Sequence, residues 1–202
     1  MTNPFAAFDP PVRPPSLSPT DISYAVEDTP VGRLLLAVRD SGELVTCAFA
    51  ADVTAEDHAL QRLADHLSPR ILRHPAATDD ARRELAAYLD GTSHTLAHPV
   101  DLSLASAFQR SVLGALTQVG YGATTTYGEL AAAIDRPGAA RAVGTALGGN
   151  PLCIVVPCHR VLPASGGIGG YAGGPAAKAH LLALESGRGS AAASVQGGSL
   201  VP

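Results

Sequence analysis

Cysteine is scarce in this 202-residue chain: only Cys47, Cys153 and Cys158 occur, an odd number with no C-x-x-C pair among them. That excludes a disulfide framework and offers no pattern for structural zinc, and at least one thiol is free. Long apolar runs are missing as well. None approaches the roughly 18 to 20 residues that a membrane span needs, and the first residues carry neither the basic start nor the apolar stretch of a secretory signal. The expected location is cytoplasmic, with no membrane partner. Lysine occurs once, at Lys178, beside thirteen arginines. With the abundant alanine, that imbalance reflects compositional bias, and no function is drawn from it.

What is present can bury a real core, since 46% of the residues are hydrophobic. The net charge of −4 argues at first sight against a nucleic-acid partner, but it is unevenly spread. Residues 1–100 carry 8 arginines against 14 acids, whereas residues 101–202 carry 5 arginines and 1 lysine against 4 acids. An anionic ligand would therefore prefer the second half, although the field there is weak and no basic stripe exists.

Punctuation divides the chain. Six prolines in residues 1–20 predict a disordered leader, and the Gly, Ser and Ala of residues 186–202 predict a flexible tail. Between them, Ile22–Val26, Arg33–Val38 and Glu43–Phe49 are β-favouring runs, the last two joined by Asp40-Ser41-Gly42, and they predict a small antiparallel sheet. Helical spacing follows from Thr54 to about Leu67 and from Thr78 to Asp90, with Gly91 as the stop. Pro99 interrupts the pattern where the charge changes sign. The expected organisation is α+β: a small N-terminal domain over residues 21–98, then a mostly helical domain over residues 99–185.

In that second domain Ser103 is a candidate cap for a helix reaching about Val119. Thr126-Tyr127-Gly128-Glu129 has capping-box spacing and opens a short helix to Ile134. Asp135-Arg136-Pro137-Gly138 then turns the chain into another helix, Ala139 to about Leu147. This is a helix-turn-helix candidate, a pattern shared with ordinary helical hairpins. Its second helix has one long cation, Arg141, among alanines and Gly144. Such a face lacks the Asn, Gln and Arg that read base edges in a major groove and would suit a minor groove. The plainer alternative is a close helix–helix contact with Arg141 solvated.

The apolar run Leu152–Val156 predicts a buried strand ended by Pro157, followed by Cys158-His159-Arg160. A thiol beside two basic groups is biased towards thiolate, hence towards nucleophilic chemistry, while Cys47 and Cys153 read as small buried hydrophobes. The glycine-dense loop Ser165–Gly174 lets backbone amides approach a flat ligand, Tyr171 adds an aromatic face, and the absence of a GK[ST] ending argues against a phosphate loop. A last helix, Ala176 to Leu184, leads to Glu185. Taken alone Glu185 reads as a solvated helix end; oriented on His159 it would complete a thiol triad.

Together, Asn150-Pro151, Val155-Val156-Pro157-Cys158-His159-Arg160-Val161, the loop ending Gly170-Tyr171-Ala172-Gly173-Gly174, and Lys178 with Leu181–Glu185 resemble the O6-alkylguanine-DNA alkyltransferase family, the methylated-DNA–protein-cysteine methyltransferases. The likeness extends back through Phe108-Gln109-Arg110, Val119–Tyr127 and Arg136–Gly144, covering about Ser103 to Glu185. It implies a protein that binds double-stranded DNA, flips an O6-alkylguanine or an O4-alkylthymine out of the duplex, and moves the alkyl group irreversibly to Cys158. On that resemblance His159 is the base that takes the thiol proton through a water, Glu185 holds the histidine, Asn150 orders the turn, and Tyr127 supplies a proton to the leaving guanine. Arg141 is the finger that fills the emptied base stack. Gln109, Arg136, Ala139, Ala140 and Gly144 belong to the DNA-binding face, and the backbone around Cys158, Val161, Tyr171 and Ala172 lines the base pocket.

The chemistry agrees, because a weak leaving group needs a strong nucleophile and a proton donor, and a thioether is not turned back into a thiol by unactivated water. One turnover per molecule is expected, without a cofactor. Three positions depart from the family pattern: Ala172 stands where some members have serine, Cys153 where some have a proline that walls the alkyl pocket, and Cys47 is alone where some have a Cys and His zinc set. No metal is expected, and no coiled coil or apolar stripe argues against a monomer. Three other readings compete: a non-catalytic protein that recognises alkylation damage, a cysteine-dependent hydrolase or redox enzyme, and a transcriptional regulator.

Overall fold

A computed structural model describes residues 21–187. The readings of residues 1–20 as a leader and of nearly all of residues 186–202 as a tail lie outside the described residues.

Three strands form the expected meander: β1 (Ile22–Thr29), β2 (Gly32–Arg39) and β3 (Leu44–Phe49), each antiparallel to the next. Gly42, at φ 98°, takes the left-handed conformation that the β2–β3 turn requires, and its N–H donates to Arg39 O at 2.9 Å. Along β2 the side chains alternate between two interiors. Leu34, Leu36 and Val38 enter the larger core, while Leu35 and Ala37 enter a smaller one with Ile22, Val45 and Leu63. Burial on both faces explains why this strand is apolar throughout rather than at alternate positions.

The smaller core is covered by α1 (Val53–His66), whose first turn is capped by Asp52 accepting from Ala55 N at 2.8 Å. A short strand absent from the sequence reading, β4 (Ile71–Arg73), then pairs parallel with β1 and makes the order β3-β2-β1-β4. Three residues with two exposed side chains carry too little pattern to announce a strand. A 3-10 turn (Pro75–Thr78) leads into α2 (Asp79–Leu89), which contributes Leu85, Tyr88 and Leu89 to the larger core.

The linking segment is pinned to the sheet: Leu44 N donates to Pro99 O at 2.8 Å, Asp101 N donates to Leu44 O at 3.0 Å, and Arg39 pairs with Asp101. Ser103 does not cap a helix. Its N–H donates to Asp101 Oδ1 at 2.7 Å within a turn, and α3 (Ala107–Leu116) starts later, capped by Ser106. Leu104 and Ala105 are buried in that turn, so packing rather than local cap preference sets the start. The helix ends before Val119 as well, where Val119 N turns to Leu116 O.

Next come β5 (Thr125–Thr126), α4 (Tyr127–Ala133) and α5 (Ala140–Gly148). The capping box forms as its spacing predicts: Thr126 N donates to Glu129 Oε2 at 2.7 Å and Glu129 N to Thr126 Oγ1 at 3.2 Å. Asp135 (φ 56°) and Gly138 (φ 94°) make the turn that folds α5 back against α4 and α3. After a 3-10 turn (Cys158–Arg160), β6 (Val161–Leu162) pairs parallel with β5, and α6 (Gly174–Glu185) closes the fold. The larger core draws on β2, β3, α2, α3, α4, α5 and α6 together.

Candidate active site

The run Leu152–Val156 is not a strand. Leu152 bridges Cys47 of β3, Cys153 bridges Val156, and between them Ile154 sits at φ 71°. A β-branched residue in the left-handed region is a real departure from preferred backbone geometry and marks a locally over-determined turn. Asn150 supplies the constraint: its Oδ1 accepts from Leu152 N at 3.0 Å and its Nδ2 donates to Val156 O at 2.9 Å. The same Nδ2 lies 3.2 Å from Cys158 Sγ. A hydrophobic strand pattern has thus been bent, by one buried amide, into a loop that aims the thiol.

Cys158 is buried at the base of a cavity of about 350 Å³ lined by Tyr127, Gly144, Leu147, Gly148, Gly170, Tyr171 and Ala172. That volume lies at the low end for small-molecule pockets, roughly 300 to 1,000 Å³. The Cys158 thiol is held below its ordinary range by the neighbouring Cys153 thiol, by Asn150 and by the charge of Lys178, against the opposing effect of burial. Cys153 and Cys47 move the other way: the adjacent Cys158 and burial raise the first, and burial pushes the second up to about 12.

The cation that acts on the thiol is not the adjacent Arg160, as the sequence suggested, but Lys178 of α6. This fully buried lysine donates from Nζ to Val161 O at 2.7 Å and to Gly170 O at 3.3 Å. Arg160 turns instead to Glu185, donating from Nε to Oε2 at 2.9 Å and from Nη2 to Oε1 at 3.1 Å, while its Nη1 donates to Val119 O at 2.5 Å.

Glu185 is no solvated helix end. It is buried, and its Oε1 lies 2.5 Å from His159 Nε2. Gly122 N donates to Oε2 at 3.1 Å, and the Tyr88 hydroxyl donates to Oε1. Burial pushes Glu185 up, but these donors outweigh it and bring the carboxyl down to about 2. Burial lowers the His159 imidazole, with Glu185 opposing it. An ionised carboxylate on Nε2 assigns the proton to that nitrogen and leaves the Nδ1 lone pair inward, buried and without a protein partner among the described residues.

Tyr127 packs its ring over Gly144 of α5, where an added Cβ would lie 3.7 Å from the ring, and its phenol is raised by burial. Tyr171 stands edge-on to Phe49 at 5.4 Å and to His159 at 6.2 Å. Val161 is buried with its carbonyl taken by Lys178 and does not line the cavity.

Of the expected DNA-facing residues, Arg141, Arg136 and the outer face of α5 are exposed, while Ala139, Ala140 and Gly144 are half-buried. Arg136 lies over the Phe108 ring at 5.9 Å, and Gln109 donates from Nε2 to Ala146 O at 2.8 Å, tying α3 to α5. Among the described residues no group of three or more His, Cys, Asp or Glu side chains is placed to hold a metal ion, and no helix is long and apolar enough to cross a membrane.

The sequence reading missed Tyr88 and the electrostatic part of Lys178. A buried tyrosine and a lone lysine inside an apolar helix are the signals that could have found them, since each needs a polar partner.

A thiol at the base of a cavity beside a pair of short helices, next in the chain to a buried imidazole bonded to a carboxylate, defines a class of protein, and comparison with known chains places this one in it. A family profile described as 6-O-methylguanine DNA methyltransferase, DNA binding domain, matches residues 107–187. A methylated-DNA–protein-cysteine methyltransferase of Mycolicibacterium paratuberculosis is 43% identical over 164 residues, which is 81% of this chain and 92% of that one. The crystal structure of Mycobacterium tuberculosis OGT in complex with DNA superposes with a TM-score of 0.70 at 37% identity, covering 82% of this chain and 94% of that one. The O6-methylguanine-DNA methyltransferase of Pyrococcus kodakaraensis gives 0.61 at 29% identity, with coverage of 81% and 98%. The chain belongs to the methylated-DNA–protein-cysteine methyltransferase family.

Proposed function

We propose that this protein repairs alkylated double-stranded DNA by transferring the alkyl group of an O6-alkylguanine, and in principle an O4-alkylthymine, to Cys158 Sγ. The observation that carries the reading is the placement of a downshifted thiol at the base of a base-sized cavity beside α5. His159 Nδ1 takes the thiol proton through a bridging water while Nε2–H stays on Glu185. The sulfur then forms a bond to the alkyl carbon, the carbon–O6 bond breaks, and the guanine leaves with a proton supplied by Tyr127, which lines the same cavity. Asn150 holds the sulfur in line.

The stable thioether that results limits each molecule to one turnover, and no cofactor enters any step. Residues 21–98 then form an N-terminal domain that packs beneath the acceptor loop, and residues 99–185 form the DNA-binding domain. The α4–turn–α5 pair acts as a helix-turn-helix laid in the minor groove, with Arg141 occupying the place of the flipped nucleotide. The protein works as a cytoplasmic monomer in the absence of DNA.

Intact-protein and peptide mass spectrometry after mixing with a duplex holding one O6-methylguanine tests this, beside a Cys158→Ala control. One methyl on the Cys158 peptide, with guanine restored in equal amount and nothing on the control, is expected. Lesion binding without transfer would instead favour a damage-recognition protein.

A further inference from the structure

Tyr88 belongs to α2, in the half of the chain where the sequence offers no chemistry, yet its hydroxyl ends on the catalytic carboxylate. It donates to Glu185 Oε1, the oxygen that also faces His159 Nε2. The ring is buried and held edge-on by Tyr121 at 5.8 Å and 86°, and Arg160 Nη2 donates to the Tyr88 oxygen at 3.4 Å. That last bond leaves the phenolic hydrogen directed at Glu185. Burial and the facing Glu185 both raise the phenol well above its usual range, so it stays protonated and remains a donor.

We propose that Tyr88 is a positioning residue for alkyl transfer: by sharing Glu185 Oε1 with His159 it sets both the lie of the imidazole and the strength with which the carboxylate favours its charged form. The proposal rests on the reading of Cys158 as acceptor and His159 as its base. In that step the S–H bond of Cys158 breaks, the proton passes to His159 Nδ1, and the electron pair remains on sulfur.

The direction follows from the groups around the ring. His159 has around it Glu185 and Lys178 of α6, Arg160 of its own turn, and the Tyr171 ring of the glycine loop. Of these only Glu185 favours the imidazolium through a direct hydrogen bond, and Tyr88 withdraws part of the charge on the oxygen responsible. Without the hydroxyl, Oε1 carries more negative charge and holds the imidazolium more firmly. His159 then keeps its proton to a higher pH and is a poorer acceptor below that point.

The test compares the full chain with Tyr88→Phe and with 3-fluorotyrosine placed at position 88, a stronger donor of nearly the same shape. His159 is titrated through its ring nitrogens by NMR. In parallel, alkylation of the Cys158 peptide by iodoacetamide is followed against pH, with thermal unfolding alongside. Tyr88→Phe is expected to move the His159 midpoint and the acid limb of thiol reactivity up together by about half a unit to one unit, leaving about three to ten times less neutral imidazole below both midpoints. The fluorinated protein moves both the other way. Superimposed titrations and pH profiles, with any rate loss following the melting temperature alone, would overturn the proposal. Neither readout involves DNA, so a wild type that reacts normally with iodoacetamide but takes no methyl from the lesion would sink the functional reading and leave the Tyr88 result standing.

Discussion

Asn150 Nδ2 lies within hydrogen-bonding distance of both Val156 O, at 2.9 Å, and Cys158 Sγ, at 3.2 Å, so one amide closes the loop that precedes Cys158 and touches its thiol. Replacing it by alanine leaves Leu152 N unsatisfied inside the protein and strips Val156 O of one of its two donors, Cys158 N at 2.8 Å being the other. Unmade buried hydrogen bonds cost about 1–3 kcal/mol each, and Ile154 loses the constraint that keeps it at positive φ. Asn150→Ala is expected to lower the melting temperature and slow iodoacetamide capture of Cys158. A variant with wild-type reactivity at unchanged stability would show that the strap does not aim the thiol.

The Glu185 carboxyl gives a pH dependence with a definite sign. Its folded value is depressed from 4.5 to about 2, so its contribution to stability is complete above the unfolded value and is lost as pH falls from 4.5 towards 2. Glu185→Gln removes that contribution at every pH and strands the buried Arg160, a change that costs about 3–5 kcal/mol. Denaturant unfolding from neutral to acid pH should therefore show a low, flatter profile for the variant across that window. Single-turnover transfer should be slower as well, because His159 loses its anchor.

Arg141 is exposed, and its side chain has no hydrogen-bond partner among the described residues. If it fills the gap left by a flipped nucleotide, Arg141→Ala should weaken repair of a lesion in duplex DNA by about tenfold or more, equivalent to about 1.4 kcal/mol. Reaction with the free alkylated base should stay near wild type. Equal losses on both substrates would remove the finger role.

Gly173 is required by close approach rather than by backbone conformation, because a Cβ there would overlap the Phe49 ring. Phe49 in turn holds Tyr171 edge-on at the cavity. Gly173→Ala is expected to destabilise the fold by about 1–3 kcal/mol through overpacking and to shift the Tyr171 loop. Calorimetry together with the methyl-transfer rate would check both effects, and an unaltered melting temperature would refute the packing argument.

Much of this arrangement was legible before the fold was known. The capping box at Thr126 and Glu129, the turn at Gly42 and the stop at Gly91 are local events between residues a few positions apart, and the structure forms each of them. Cys158, His159 and Arg160 announced a thiol centre by adjacency. Adjacency misled about the cation, because a 3-10 turn points successive side chains in different directions, and Arg160 ends on Glu185 while Lys178 serves the thiol. The run Leu152–Val156 has the composition of a strand, and only the Asn150 strap and the edge of β3 decide that it becomes a loop.

By itself, then, the sequence determined the three-stranded meander, the approximate spans of the helices, the capping box at Thr126, the order Cys158-His159-Arg160 and the family, since these depend on residue types at short spacing. Tertiary structure alone decided which buried polar groups meet. Tyr88 and Glu185 stand 97 positions apart, and His159 and Glu185 stand 26 apart. No local propensity encodes such pairings. They arise when the larger core closes and each buried donor must find an acceptor, and that requirement of satisfied hydrogen bonds in a dry interior assembles the carboxylate, the imidazole and the thiol into one site.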